Sequence, residues 1–325
     1  MFYLPVGPLT GGNPRMERPR HPRPRRLGRR LRQRRGVAAA IGTLLALLVF
    51  MSLFGLFVTQ FVPLWMMDNE ASFTSSVQAE FGSLQQNLDL LALDAAPGRS
   101  LSGAVTMQSG NVPILAQPTQ GILSYTNEPA LYTNVSFNLT GLAPPTGVGE
   151  HNFFQNFTSG EISMQIPNRY YVPTYFGLSD GAVVAQQSSG SSTMLFSPGF
   201  EGTLVGNTTS LYLTLFQVLG NNTQTTSTGT QQVFETYLAA QSYQGADTSV
   251  ALNFTTAFPC AWINYLGIAF KASGITPTVT SPLAASCPAV LPIGTLAPIQ
   301  VAFPRVDNLS VTIVYFNVAV GGIPA

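Results

Sequence analysis

The side-chain types that most often carry out chemistry are few in this sequence, and they are dispersed. The histidines His21 and His151 lie far apart along the chain, so they form no local metal-binding pair, and Glu150 with His151 belongs to a polar stretch typical of a loop. No nucleophile elbow, P-loop, dinucleotide-binding glycine motif or EF-hand loop is present. We therefore predict no catalytic residue, no cofactor and no metal site.

The acids of the C-terminal part do not cluster either. They include Asp180, Glu201, Glu235, Asp247 and Asp307. A surface hydrolase of the glycosidase type would require two of these carboxylates to converge in space, which a sequence does not reveal. The expectation from the sequence is a protein that is not an enzyme.

Two cysteines, Cys260 and Cys287, are the only ones in the chain. If this part of the protein is exported, a disulfide between them is the first expectation. A closed loop of this length would stabilise the fold by about 3 kcal/mol in the chain-entropy model. The alternative is a pair of free, buried thiols.

Sequons for N-linked glycosylation are frequent in the C-terminal part. Seven asparagines begin an Asn-x-Ser/Thr sequence without proline at the middle position: Asn134, Asn138, Asn156, Asn207, Asn221, Asn253 and Asn308. Their number favours a glycosylated surface protein.

Charge is distributed very unevenly along the chain. Residues 15–35 contain eleven arginines and one glutamate, a net charge of +10, whereas thirteen acids and four basic residues from Asp68 onward give −9. The basic run lacks interleaved aromatic residues and adjoins an apolar segment, which argues against a nucleic-acid partner. We predict that residues 1–36 form a disordered, basic cytoplasmic leader.

The stretch from residue 37 to residue 65 organises the rest of the chain. Its first 22 residues, 37–58, carry no charge, and as a helix they would extend over about 33 Å, close to the hydrocarbon thickness of a bilayer. Pro63 predicts a kink or an end, and Trp65 suits the membrane interface. The prediction is a single transmembrane helix over 37–65, with the N-terminus cytoplasmic and the C-terminal domain extracellular.

Three interpretations of this segment compete. A cleaved secretory signal is disfavoured by the length of the run and by the lack of a small-x-small cleavage site. An uncleaved signal anchor agrees with every feature. Third, Arg34-Arg35-Gly36 followed by residues 37–42 resembles the N-terminal motif of archaeal type IV pilins and pilin-like surface proteins. The resemblance implies cleavage between Gly36 and Val37, and it places Ile41 where many pilins carry glutamate.

A second helix is predicted over residues 68–97. Its apolar residues Val77, Phe81, Leu84, Leu88 and Leu91 step by four, three, four and three, which is a heptad seam, and the other positions are mostly polar. Pro97-Gly98 ends it. Two heptads favour burial against the protein's own sheet over a free coiled coil.

In residues 100–325, short apolar runs separated by turn residues predict an extracellular all-β domain. Short strands are predicted at 135–139, 162–166, 182–185, 193–196, 211–218, 250–254 and 308–320, the last as a central strand. Residues 224–230 predict an exposed loop or edge, and residues 232–240 a short helix. The fold class is thus α+β: a transmembrane helix, an amphipathic helix and a mainly antiparallel, sandwich-like ectodomain.

A looser resemblance extends over the ectodomain. The residues that carry it are 113–115, 118–123, 168–173, 180–184, 220 and 227–230, which resemble the skeleton of large archaeal pilin-like surface proteins. It implies a non-enzymatic pilin-like subunit or minor pilin whose partners are the lipid bilayer and other pilin-like subunits. The alternative is a signal-anchored adhesin or solute-binding ectodomain that does not polymerise.

Overall fold

The protein is described by a computed structural model covering residues 28–127, 133–139, 153–188, 190, 192–282, 287 and 296–321. Two helices lie in these ranges, α1 at Gly28–Asp94 and α2 at Pro259–Ala272. The strands are β1 Ser100–Thr106, β2 Ile122–Thr126, β3 Thr133–Leu139, β4 Phe153–Thr158, β5 Glu161–Ile166, β6 Thr174–Ser179, β7 Ala182–Gln187, β8 Ser192–Phe196, β9 Phe200–Val205, β10 Thr208–Gly220, β11 Thr223–Thr225, β12 Thr230–Thr256, β13 Thr278–Thr280 and β14 Ala297–Val320.

The helix α1 is 67 residues long and continuous. Pro63 lies inside it, so the kink or end expected there, and the division into helices over 37–65 and 68–97, are replaced by one helix. Proline removes only one backbone donor, and the turns on either side keep their own hydrogen bonds. The helix ends just before Pro97-Gly98, where Gly98 adopts a left-handed φ of 80°.

The N-terminal end of α1 corrects a second prediction. Residues 28–36 are helical, so the disordered leader expected over 1–36 does not extend that far, and residues 1–27 lie outside the described ranges. Within the described chain, the stretch Ala39–Asp94 is the one helix long and apolar enough to cross a membrane, judged by length and composition.

The chain divides into two compact units, Met1–Phe57 and Val58–Ala325. We call the second unit the head. It contains the rest of α1, all the described strands and α2.

Two sheets form the β part of the head. The eight-stranded sheet has the order β4-β3-β12-β14-β10-β9, with β1 beside β12 and β13 beside β14. The six-stranded sheet has the order β11-β2-β5-β6-β7-β8. Among the described strands only β10 and β14 pair in parallel. The coarse form of the predicted fold is therefore confirmed, namely an apolar N-terminal helix followed by a mainly antiparallel, strand-rich part.

The centre of the larger sheet is the pair of long strands β12 and β14. The predicted central strand over 308–320 is confirmed, because β14 has β12 on one side and β10 on the other. Leu309, Val311 and Ile313 enter one apolar core, and Val314 and Phe316 enter another. A strand that is apolar on both faces is stable only where both faces are covered.

Two apolar cores fill the head. The first contains α2 and strands of both sheets. The second contains side chains of α1 together with strands of both sheets. In the second core Val77, Phe81, Leu84 and Leu88 are fully buried, and Leu91 is 1% exposed.

Two predictions for the β part are wrong. Residues 100–325 are not all-β, because α2 lies within them. Residues 232–240 belong to β12 and form no helix. There Val233, Glu235 and Tyr237 are buried at period two, while β1 and β14 supply backbone partners on either side. Tertiary pairing thus decided between two patterns that look alike over nine residues.

The burial of α1 predicts unequal costs for the same substitution on its two sides. Leu84 is fully buried, whereas Leu93, on the same helix, is 83% exposed. We expect Leu84→Ala to lower the free energy of unfolding by roughly 2–5 kcal/mol, because it leaves a cavity in a packed core. Urea unfolding of the detergent-solubilised full chain measures this.

Leu93→Ala is the matched control. It makes the same change on the same helix without opening a cavity, so it should change the free energy of unfolding by no more than about 0.5 kcal/mol. Equal losses for the two variants would show that α1 is not packed into the head as described.

Candidate functional site

The most unusual surface of the described chain is the N-terminal part of α1. Residues 39–56 are all exposed, although most are large and apolar; Ile41 is 53% exposed, Leu44 65% and Phe50 61%. Water hydrates such side chains poorly, and an exposed apolar surface of this extent marks a membrane or protein contact. Chemically, this surface is suited to lipid chains or other apolar helices.

In the head, the same helix buries one row of side chains. Its apolar members are Val62, Met66, Phe73, Val77, Phe81, Leu84, Leu88 and Leu91. The steps of three, four and seven residues place them on one side of the helix. The predicted seam is thus the C-terminal part of a longer buried row that begins at Val62.

One carboxylate interrupts this row. Glu70 is fully buried, and its oxygens accept hydrogen bonds from the Thr119 hydroxyl and from three consecutive backbone N–H groups between β5 and β6. The N···O distances are 3.1 Å for Arg169, 2.7 Å for Tyr170 and 2.7 Å for Tyr171. We call this set of contacts the Glu70 clasp.

The Glu70 clasp satisfies a buried charge without a cation. A run of backbone N–H groups directed at one point forms a concave site for an anion. A second tier of contacts supports it: the Asn168 amide donates to the Thr74 hydroxyl at 3.1 Å and to the Val172 carbonyl at 3.0 Å. Thr74 in turn donates to the Glu70 carbonyl at 2.8 Å. The loop is therefore fixed to α1 through several bonds.

A second carboxylate attaches α1 to the larger sheet. Glu80 accepts the backbone N–H of Thr106 at 2.7 Å and the hydroxyl of the same residue at 2.6 Å. Thr106 is the last residue of β1. Glu70 and Glu80 thus hold the helix to two different parts of the head.

A pair of buried acids lies on the six-stranded sheet. Glu161 and Asp180 are each 1% exposed. The Tyr175 hydroxyl donates to Glu161 Oε1 at 2.8 Å, whereas Glu161 Oε2 and both Asp180 oxygens have no hydrogen-bond partner among the described groups. Asp180 and Gly181 have φ values of 53° and 77°, as in the tight hairpin turn that joins β6 to β7.

Burial favours the neutral form of these two groups. Burial raises the pKa of Glu161 to about 8, and the nearby charge of Asp180 adds to the increase while Tyr175 opposes it. Burial also raises the pKa of Asp180 to about 7, with the Ser159 hydroxyl acting in the opposite direction. A carboxylate that is removed from water and has no cation nearby loses the solvation that stabilises its charge, so its pKa rises.

Glu235 is a third buried acid, in the core beside α1. It is fully buried on β12, and neither of its carboxylate oxygens has a hydrogen-bond partner among the described groups. Burial raises the pKa of Glu235 well above its ordinary value, against a smaller opposing effect of the Asn87 amide. Within the described residues the one ion pair, Arg99 with Asp94 at 2.6 Å, is on the surface.

The predicted disulfide is confirmed. Cys260 and Cys287 are bonded, with their Cα atoms 5.5 Å apart. Cys260 lies in the first turn of α2 and is 1% exposed. The bond therefore attaches the chain beyond α2 to the start of that helix.

The other predicted site residues are distributed over the head and α1. Gly36 and Val37 lie within α1. Asn207, Asn221 and Asn308 are exposed and Asn253 is half-buried, whereas Asn134 and Asn138 lie on β3 and Asn156 on β4. His21, Glu150 and His151 lie outside the described residues. No group of three or more potential metal ligands converges in the described part of the chain.

Sequence reasoning missed the Glu70 clasp, the buried acids and α2. A signal for α2 was present, because Pro259 precedes Trp262, Leu266 and Phe270, which are spaced by four and are all buried. Glu70 and Glu161 gave no comparable signal, since their partners lie in other parts of the sequence.

Comparisons with protein-family models, with curated proteins and with solved structures found no match to this chain.

The Glu70 clasp predicts a large effect from a small substitution. Glu70→Gln removes the charge and turns an amide donor toward groups that are themselves donors. We expect the free energy of unfolding at pH 7 to fall by roughly 1–3 kcal/mol. Asp68→Asn, an exposed change on the same helix, is the control and should be nearly neutral in the same denaturant titration. A neutral Glu70→Gln would refute the role given to the clasp.

The buried acid pair predicts that the head loses stability as pH rises. Both pKa values are raised in the folded state, so this stabilisation is complete below about pH 4, where the unfolded carboxyls are also protonated. It is lost as pH rises through about 7 and 8. Between about pH 4 and its own folded-state pKa, about 7 for Asp180 and about 8 for Glu161, each group contributes a slope of about −1.4 kcal/mol per pH unit to the free energy of unfolding.

Glu161→Gln should make the free energy of unfolding fall less steeply with pH, because an amide does not ionise. The contribution of one group, about −1.4 kcal/mol per pH unit, is then lost from the slope. The exposed Glu201→Gln should leave the slope of the wild type unchanged. Urea titrations of the full chain between pH 5 and 9 give the comparison. A wild-type stability that is constant or increases over this range would contradict the assignment.

Proposed function

We propose that this chain is a type IV pilin-like surface subunit of the archaeal kind. In this proposal α1 anchors it in the membrane or in a filament, and the head lies outside the cell. The observation that carries the proposal is the single helix α1. It exposes apolar side chains over residues 39–56 and buries an apolar row in the head from Val62 to Leu91. A subunit held by an apolar helix needs both properties in one element.

The charge distribution supports this orientation. The arginine-rich residues 15–35 favour the cytoplasmic side, because positive charges flanking a membrane segment are retained there. The bond between Cys260 and Cys287 agrees with an oxidising compartment for the head. The exposed sequons at Asn207, Asn221 and Asn308 are open to glycan attachment in that compartment.

The proposal gives the head a structural or binding role and assigns it no catalytic residue. Glu161 and Asp180 lie close together, but both are buried and neutral at moderate pH, which suits a packed interior better than a site open to substrate. The Glu70 clasp has the same character, since protein donors occupy both of its oxygens.

A second candidate is an uncleaved, signal-anchored adhesin or solute-binding protein. One observation favours it: α1 begins at Gly28, so the bond between Gly36 and Val37 lies within a helix. Peptidases cut extended chains, and cleavage there would require the helix to open locally. Processing at this bond therefore separates the two candidates.

N-terminal sequencing of the protein extracted from membranes tests the proposal. A mature chain that begins at Val37 is expected for the pilin-like subunit. Gly36→Leu should leave the leader attached, because it replaces the small residue before the cut, whereas Gly28→Leu should be processed normally. A chain that begins at Met1 or Phe2 in the wild type would favour the signal anchor.

Electron microscopy with a labelled antibody against the head gives an independent readout. Label along surface filaments, and loss of those filaments in a deletion strain, are expected. Uniform label over the membrane, with filaments unaffected by the deletion, would refute a role as a filament subunit.

A further inference from the structure

The two ends of the six-stranded sheet are both edge strands. β8 at one end pairs with β7, and β11 at the other pairs with β2; neither has a second neighbour among the described strands. An edge strand presents a row of backbone N–H and C=O groups that another strand can pair with. Monomeric proteins commonly protect such edges with proline or charged side chains. Residues 192–196 and 223–225 contain neither.

The register of this sheet connects its two ends residue by residue. One cross-strand row runs through Thr225, Leu123, Met164, Phe176, Ala185 and Thr193. The next row runs through Gln224, Ser124, Ser163, Gly177, Val184 and Met194. Successive residues of a strand point to opposite faces. Thr225 and Thr193 therefore end a row on the face toward α1, and Gln224 and Met194 end a row on the other face.

Two grooves adjoin β8, one beside α1 and one beside α2, and Thr193 and Leu195 line both. A groove of about 340 Å³ lies between α1 and the strands, where Thr193 and Leu195 line it with Thr74 and Gln78. A groove of about 500 Å³ lies between β8 and α2. There Met194 lines it with Tyr265 and Ile268, and Ile268 is 71% exposed. A strand added to β8 would direct alternate side chains into the two grooves.

The chemistry of the grooves restricts what can enter. No charged side chain lines either groove among the described residues, so a charged segment would lose its hydration there without gaining a partner. Residues 222–230, which include β11, are uncharged and rich in threonine, a residue with high β propensity. The chain therefore carries a matching segment at the opposite end of the same sheet.

We propose that β11 of one copy of this chain adds to β8 of the next copy and extends the six-stranded sheet from head to head. All strand pairs within this sheet are antiparallel. Because strand direction alternates across the six strands, β11 and β8 run in opposite directions. If a second copy is shifted without rotation along the cross-strand rows, its β11 comes to lie beside β8 of the first copy, and this new pair is antiparallel as well. The same shift keeps the α1 faces of the two sheets on one side and places Thr225 of one copy beside Thr193 of the other.

Such a contact is heterologous and can repeat indefinitely, as a filament requires. β11 has only three paired residues, so one contact is weak. It becomes effective when many copies are held side by side, because the local concentration of each edge is then high. In this respect the inference rests on the proposed function, since filament assembly would supply the crowding of copies.

Cysteine cross-linking in the membranes of cells that express the full chain tests the contact. Two single variants, Thr193→Cys and Thr225→Cys, are produced together and oxidised mildly, and peptide mass spectrometry identifies the bonded pair. Directly opposed residues of antiparallel strands are separated by about 4.5–5.5 Å between Cα atoms, a distance that a disulfide bridges. We expect a dimer bonded through these two positions only when both variants are present.

Thr193→Cys with Gln224→Cys is the matched control, because these residues end rows on opposite faces, and it should give little dimer. Cross-linking of Thr193→Cys with itself would indicate β8 paired with β8 and would overturn the proposal. No dimer in cells that display filaments would overturn it too, while leaving the proposed function intact. A dimer in cells whose chain still begins at Met1 would support the head contact and count against pilin processing.

Discussion

Burial of one apolar row along α1 is the constraint on which the head depends. The row extends from Val62 to Leu91, and the core that receives it contains side chains of both sheets. The larger sheet approaches the helix closely: a side chain at Gly103 of β1 would overlap with that of Leu84. Removal of α1 would expose a large apolar surface on both sheets. The part of α1 that belongs to the head and the strands therefore form one folding unit.

The buried carboxyl groups of the head are stabilised in two different ways, one as the charged form and the other as the neutral form. Glu70 keeps its charge in a buried position because backbone N–H groups and a hydroxyl surround both oxygens. Glu161 and Asp180 lack enough donors, so their neutral forms are favoured instead. The first solution fixes the position of the helix against a loop. The second makes the stability of the head depend on pH and favours an acidic surrounding.

The two surfaces on which the functional proposals rest lie in different parts of the chain. The apolar residues 39–56 of α1 suit lipid or helical neighbours, and the edges of the six-stranded sheet suit backbone pairing. The first contact draws on apolar area and is not directional, whereas the second requires a defined register. In the proposed assembly, helices would bring copies together and sheet edges would set how the heads meet.

The sequence by itself determined the features that depend on neighbouring residues. The apolar run over 37–58, the seam from Val77 to Leu91 and the seven predicted strands all follow from local periodicity. The pair Cys260 and Cys287 followed from the absence of any other cysteine. Local pattern also misled, since residues 232–240 satisfy a helical period nearly as well as a strand period.

The tertiary structure alone decided the features that depend on distant residues. The three backbone donors to Glu70 lie about a hundred positions further along the chain. The cross-strand rows that end at Thr193 and Thr225 exist only through the register of six strands. The structure also shows that α1 continues through Pro63, because the turns on either side of the proline keep their own backbone hydrogen bonds. Long-range contacts of this kind leave no periodic trace in the sequence, and for that reason only the fold revealed them.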